Sequence, residues 1–429
     1  MRSNRSARFA LAVILLLISI TAWISCSKSS NGVQSVSAAS SDGKIPITTK
    51  SEEAQREFLL GRDLSERLLA NDSLQHFDKA LALDPEFASA ELARANNAPT
   101  TKEFFEHQKK ALSLADKASE GEKLFILANQ AGANGKPAEQ KQYLDKLATD
   151  YSADERVQFN LGGYYFGQQE YDRAVEHYKR ATEISPTYSP AYNLLGYAYR
   201  QQENYSEAEQ AFKKYVQLIP NDPNPYDSYA ELLLKMGKFD DSIGQYRKAL
   251  SVDSRFVPSH FGIAADLMYM GKADAASTEL QTMAAQARND GELRTAFFGM
   301  AVLAADSGKL DKALQAMDKE YAVAEKKNDV ASMAQDLQAK GNILEEMQRY
   351  DAAAQAFDRS AQLIENSELS QQIKDNAKLL HVFNLTAIAI GKKDLAIAKK
   401  YAEDFRQTAE GSQNPQQVKQ AHELAGRIA

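Results

Sequence analysis

The residues of this chain best suited to acid–base or metal chemistry are its six histidines, His76, His107, His177, His260, His381 and His422. Their spacing suits neither task. None has a second histidine or a cysteine at metal-ligand distance along the chain, and His422-Glu423 lacks the second histidine of an H-E-x-x-H zinc helix. The carboxylate pairs Glu52-Glu53, Asp240-Asp241 and Glu345-Glu346 fall on helix surfaces or turns, where solvation or capping accounts for them. Neither a phosphate-cradling glycine loop nor a nucleophile elbow occurs, and Gly162-Gly163 sits inside a helical stretch. Cys26 is the single cysteine, so no internal disulfide forms. The residues therefore predict no enzyme, no metal and no cofactor. Function must then lie in a surface, and the elements that build that surface are written in the repeats.

Between Glu155 and Phe256 one 34-residue pattern is written three times without a gap. Its clearest copy runs Tyr192, Leu195, Gly196, Tyr199, then Ala208, Phe212, Tyr215, then Pro220. Leu161, Gly162, Tyr165, Ala174, Tyr178, Ala181 and Pro186 occupy the same places one unit earlier, and Tyr229, Ala230, Leu233, Ser242, Tyr246 and Ala249 one unit later. Tyr192, Leu195 and Tyr199 lie at i, i+3 and i+7, one apolar stripe on a helix, and Ala208, Phe212 and Tyr215 form the second. Gly196 and Ala208 are small where the two helices approach, and Pro220 stops the second helix. This pattern resembles the tetratricopeptide repeat family. The resemblance implies an all-α fold: a right-handed superhelical solenoid of antiparallel helix pairs, about ten in number.

The clearest repeats span 54–87, 121–154, 155–188, 189–222 and 223–256, with a degenerate unit at 88–120. Looser ones fill 257–410, where the turns at Gly271, Gly308, Gln348 and Gly391 are more widely spaced, and a capping helix covers 415–428. Composition agrees, at 44% hydrophobic and 25% charged. A solenoid grows by adding units of fixed thickness and needs no oversized core.

Residues 1–25 obey other rules. Arg2, Arg5 and Arg8 precede an apolar run from Phe9 to Ile18 that extends to Ile24, the layout of a secretory leader. The sequence Trp23-Ile24-Ser25-Cys26 resembles a bacterial lipoprotein signal, which implies lipid attachment at Cys26. Trp23 departs from the leucine usual there, and an uncleaved anchor or a cut elsewhere are the alternatives. Residues 26–53 are serine-rich and are expected to form a flexible tether to a 54–429 solenoid. The resemblance implies an exported protein held in the cell envelope, with Ser27 after the cysteine pointing to the outer membrane, periplasmic side. The formal charge of −7 disfavours nucleic acid and anionic headgroups as partners, so the lipid would supply membrane attachment.

In tetratricopeptide proteins the first helix of each unit lines a concave groove that takes peptides of a partner protein. Carried onto this chain, that face comprises Phe159, Asn160 and Phe166, then Asn193, Tyr197 and Arg200, then Asp227, Glu231 and Lys235, then Phe261 and Tyr269, with Ala265 between them. Asn160 and Asn193 are suited to hydrogen-bond an extended backbone, and the rings offer rigid contact area. Tyr197 and Phe261 could equally pack against neighbouring helices. Phe159 and Gly163 stand where a chaperone-tail clamp needs lysine and asparagine, which disfavours that ligand. The expected function is an envelope-anchored scaffold or adaptor for another protein; the alternative is a self-associating structural lipoprotein, a homo-oligomer without a discrete peptide ligand, and an enzyme with an unrecognised site ranks below both. The methionines of the second half, from Met268 to Met347, are expected to fill core.

Overall fold

The computed structural model describes residues 43–412 and 414–429. The leader, Cys26 and the tether as far as residue 42 lie outside the described residues. Twenty-one α-helices and no strands are found among the described residues. They form ten antiparallel pairs and a closing helix. Pair 1 is Glu52–Glu66 with Ala70–Leu83, pair 2 Ala88–Asn96 with Thr101–Leu114, and pair 3 Glu120–Ala133 with Pro137–Asp150. Pair 4 is Glu155–Gly167 with Tyr171–Ile184, pair 5 Ser189–Gln201 with Tyr205–Leu218, and pair 6 Asn224–Lys235 with Phe239–Val252. Pair 7 is Val257–Tyr269 with Ala273–Gln286, pair 8 Asp290–Asp306 with Leu310–Lys326, and pair 9 Val330–Glu346 with Tyr350–Glu365. Pair 10 is Gln371–Gly391 with Leu395–Ser412, and Pro415–Ile428 closes the array. The wider spacing of the later turns has a plain cause: the helices of pairs 8 and 9 run 16 or 17 residues, against 13 and 14 in pairs 4 and 5.

In pairs 1, 4, 5 and 9 an aromatic ring of the second helix is set against a glycine of the first. Tyr178 lies under Gly162 and Phe212 under Gly196, and both rings are fully buried. Repetition of this unit gives a core that continues from pair to pair, with residues from Leu124 to Leu232 in one cluster. Met283, Met317 and Met333 are buried in it further along.

Every hairpin turn but that of pair 2 carries one residue in the left-handed region. Gly135, Gly237, Gly271 and Gly308 hold it in four turns, and Leu68, Gln169, Glu203, Gln348 and Lys393 in five. This conformation closes the first helix with a pair of backbone hydrogen bonds, as when Gly237 and Lys238 donate to the carbonyls of Leu234 and Leu233.

First helices start on polar caps at the links between pairs. Asp154, Asn289, Asp329 and Ser370 each accept from a backbone N–H of the first turn, and Ser119 and Glu122 make a reciprocal capping box.

Two features were not expected from sequence. The first is that residues 44–50, assigned to the tether, are laid along the links of pairs 1 to 4 instead. Ile45 is buried against Gly121 and Tyr151, and its N–H donates to Asp154. Thr48 N–H donates to Glu122, and Thr49 Oγ1 and Lys50 N–H donate to Asp84. Lys44 pairs with Glu155 at 2.8 Å. The strap forms because the acceptors Asp84, Glu122 and Asp154 are buried at helix junctions, where an unmet carboxylate oxygen is costly.

The second is that the superhelix winds tightly enough for one turn to touch the next. The hairpin turns of pairs 1 to 4 rest on the links beyond pair 5. Arg67 clamps Asp222 with two hydrogen bonds of 2.6 Å, and Asn71 bonds Glu292 and Asn289. Thr101 bonds Asp329 and Ser332. The carbonyl of Gly135 accepts from Asn414, and Gln169 from Lys419. Charged groups are half-buried where the turns meet: partial burial pushes the Glu66 carboxyl up to about 7 even with Arg62 and Arg156 nearby.

Candidate functional site

The first helices of pairs 4 to 8 touch in succession, so they line the inner wall of the superhelix. On that wall a polar ladder joins pairs 5, 6 and 7. Tyr197 Oη donates to Ser228 at 3.2 Å, Arg200 pairs with Glu231 at 3.0 Å, and Ser259 Oγ donates to Asp227 at 2.7 Å. The Arg200 guanidinium lies over the Tyr197 ring, 4.7 Å from its centroid, which fixes both side chains. Burial, and after it the Glu231 charge, pushes the Asp227 carboxyl well above its usual range. Ser259 works against that shift. The ladder is a preformed row of donors and acceptors, half-buried at Tyr197, Arg200 and Glu231.

The eleven residues assigned to the groove from sequence divide by register. Phe159, Asn193, Asp227 and Phe261 recur at 34-residue spacing and are not free contact residues. Phe159 packs edge-on against Tyr188, with ring centroids 5.6 Å apart, and Asn193 and Asp227 are buried. Phe261 packs into the core of pairs 7 and 8, beside Gly299. This correction has a simple cause: the column they form is the seam where adjacent first helices meet. Asn160 is exposed but spends its amide on the carbonyl of Arg156, one turn back in its own helix. Phe166 packs edge-on with Tyr171 across its hairpin turn. Tyr269 is exposed and stacks on Phe239 at the turn edge. Lys235 is exposed at the end of its helix. The structure brings together Tyr197, Arg200, Asp227 and Glu231, and keeps the other seven off the ladder.

A second polar cluster was missed. A cavity of about 190 Å³ lies between pairs 8 and 9, roofed by Pro99 and Thr101 of the neighbouring superhelical turn. Arg294 clamps Asp336 at 2.6 and 2.8 Å and reaches Glu320 at 3.3 Å. Burial, and after it the Asp336 charge, pushes the Glu320 carboxyl well above its normal range, while the Arg294 charge works against that shift. The Arg294 guanidinium so ties the two helices of pair 8 to the first helix of pair 9. The separations of 26 and 42 residues match no repeat period, which hid the cluster. Among the described residues no group of acidic, histidine or cysteine side chains is arranged to hold a metal ion. No helix among them is long and apolar enough to cross a membrane.

Residues 154–221 match the sequence profile described as tetratricopeptide repeat. The chain is 26% identical over 170 residues to Hsp70-Hsp90 organizing protein 1 of Glycine max, covering 39% of this chain and 29% of that protein. It is 26% identical over 93 residues to protein bimA of Emericella nidulans, 22% of this chain and 12% of that one. The chain thus spans less than a third of the length of these relatives. Among solved structures it is similar to yeast Tom70 at 18% identity, over 77% of this chain and 72% of the other, with a TM-score of 0.45. The profile match and the repeating hairpins together identify residues 154–221 as tetratricopeptide repeats, within an all-α array of helix pairs.

Proposed function

We propose that this chain is an envelope-anchored adaptor that holds a peptide segment of a partner protein on the inner wall of pairs 5 to 7. Repeats of this family serve protein–protein contact, and a solenoid presents a long, rigid inner surface without needing catalytic groups. The observation that carries the reading is the ladder of Tyr197, Arg200, Ser228 and Glu231, whose side chains are pinned by one another before any ligand arrives, with Asp227 held by Ser259 behind them. Preorganisation of this kind lowers the ordering cost of binding. Arg200 and Glu231 offer one charge of each sign to a passing backbone or side chain, and Tyr197 a rigid ring edge. The leader pattern and Cys26 support export and lipid anchoring, with the outer membrane as the expected address.

The test replaces Tyr197, Arg200 and Lys235 together by alanine, beside a control with Lys179, Lys213 and Lys214 of the outer helices replaced. Partners cross-linked in intact cells should be lost from the first variant and kept by the second. Equal recovery from both would remove the inner wall from the reading. For the anchor, Cys26→Ser should release the protein from the membrane fraction; retention would refute lipid attachment at that residue.

A further inference from the structure

Glu320 is a buried carboxyl with no part in the inner wall of pairs 5 to 7. It lines the cavity between pairs 8 and 9, where its Oε1 lies 3.3 Å from the Arg294 guanidinium and its buried Oε2 takes no hydrogen bond. A buried acceptor in that state costs free energy until a donor reaches it. The lining sets one cation against three carboxyls, Glu320, Asp329 and Asp336. Arg294 donates twice to Asp336 and once to the Glu320 carbonyl, and Asp329 is met by neutral donors, the N–H of Thr101 and the N–H and hydroxyl of Ser332. Phe298, Met317 and Ala339 give the cavity an apolar wall. The roof sits directly on this wall: a Cβ on Gly291 would come 2.6 Å from the carbonyl oxygen of Pro99.

We infer that this cavity binds a primary alkylammonium group, its nitrogen on the Glu320 carboxylate and its methylene stem along Phe298, Met317 and Ala339. The excess of carboxyls selects a cation. The space decides which kind. Among the described residues no side chains are arranged to hold a metal ion, whereas an ammonium brings three N–H donors and a stem that suits the apolar wall. At about 190 Å³ the cavity falls below the roughly 300 Å³ at which pockets for drug-sized molecules begin, so it takes one small amine or one lysine side chain. Burial and the Asp336 charge both push the Glu320 carboxyl upward, and an ammonium beside Oε2 supplies the counter-charge that favours its ionised form. Because Pro99 and Thr101 of pair 2 form the roof, an occupied cavity would touch two superhelical turns at once and favour their closed arrangement.

The test uses the full chain with ¹³C-labelled methionine methyls and follows the Met317 signal, assigned with Met317→Leu, during titration with n-butylammonium chloride and, separately, with 1-butanol. The amine should give a saturable shift, and the alcohol, which matches its stem without the charge, should bind at least tenfold more weakly. Glu320→Gln keeps the shape of the site and removes its charge, and should weaken the amine at least tenfold. Ala339→Met fills the space of the stem and leaves every charge in place, and should do the same; thermal melts show that both variants fold. The blocked peptide acetyl-Ala-Lys-Ala-amide separates the two sources of the group. A matching shift assigns the cavity to a lysine of a protein, and a shift with n-butylammonium alone assigns it to a free small amine. No saturable shift with n-butylammonium, equal affinity for 1-butanol, or binding undiminished in Glu320→Gln would overturn the inference and leave a cavity that holds only water.

Discussion

Replacing Gly196 by alanine measures the close approach on which helix pair 5 rests. A Cβ at Gly196 would lie 2.7 Å from two carbons of the Phe212 ring and 2.9 Å from a third, where ordinary contact is about 3.5–4.0 Å. The ring must therefore retreat by about 1 Å. Phe212 is fully buried and packed edge-on against Tyr197 at 5.2 Å, so nothing behind it is empty. Overpacking of this kind costs about 1–3 kcal/mol, and the better helix propensity of alanine returns about 0.5–1 kcal/mol. The net expectation is a loss of roughly 0.5–2 kcal/mol. Gly244, one pair later and exposed in a second helix, has nothing within 4 Å of its would-be Cβ. Alanine there should stabilise by about 0.5–1 kcal/mol. Because a solenoid need not unfold in one step, the two variants should be compared by hydrogen exchange of the peptides covering pairs 5 and 6 as well as by urea unfolding. Gly196→Ala should also loosen Tyr197, which rides on the displaced ring. Equal stabilisation by both substitutions would refute the reasoning.

Arg67→Ala should open the contact between superhelical turns, because it leaves the buried Asp222 carboxylate without its clamp. A loss of about 2–4 kcal/mol and a larger radius of gyration by X-ray scattering are expected. Asp222→Ala should cost less, since Arg67 keeps Asp63 at 2.9 Å, and the double variant should fall short of additive. Burial pushes the Asp266 carboxyl up to about 6, and both its oxygens lack partners. The folded state therefore binds more protons than the unfolded one between about pH 4 and 6. Its contribution is complete at low pH and is lost as pH rises through that window, by at most about 3 kcal/mol. Asp266→Asn should flatten that slope in thermal melts. Cleavage before Cys26 removes Trp23, the only tryptophan, so mature protein should emit as tyrosine alone, and tryptophan emission would mean the leader is retained.

The helix pairs were legible because their determinants are local. A stripe at i, i+3 and i+7, a small residue facing a ring and a stop at proline all lie within 34 residues, and Leu195, Gly196, Phe212 and Pro220 display all three. The contacts between superhelical turns were not legible. Arg67 and Asp222 stand 155 residues apart, and no period relates them. The strap was misread for the same reason: Ile45 and Ile47 are the apolar residues of 44–50, but the surfaces and acceptors that the segment meets lie far along the chain, Glu122 74 residues from Thr48 and Asp154 109 residues from Ile45. On the inner wall the eleven residues grouped from sequence divide in the structure between ladder, seam and turn edge. Sequence separates residues between stripe positions from those on the stripe, but the column of Phe159, Asn193, Asp227 and Phe261 turned out to be the seam between first helices. The neighbouring column of Tyr197 and Glu231, with Arg200 a turn beyond, keeps its polar atoms for the wall.

The inner wall as a partner's seat is tested most directly by placing a photoreactive amino acid at Lys235, at the exposed end of the first helix of pair 6, and at Lys214, on the outer helix of pair 5, in intact cells. The account predicts a discrete cross-linked partner from position 235 that is lost when Tyr197 and Arg200 are alanine, with none from position 214. Cross-links of equal yield from both positions, or from position 214 alone, would contradict it.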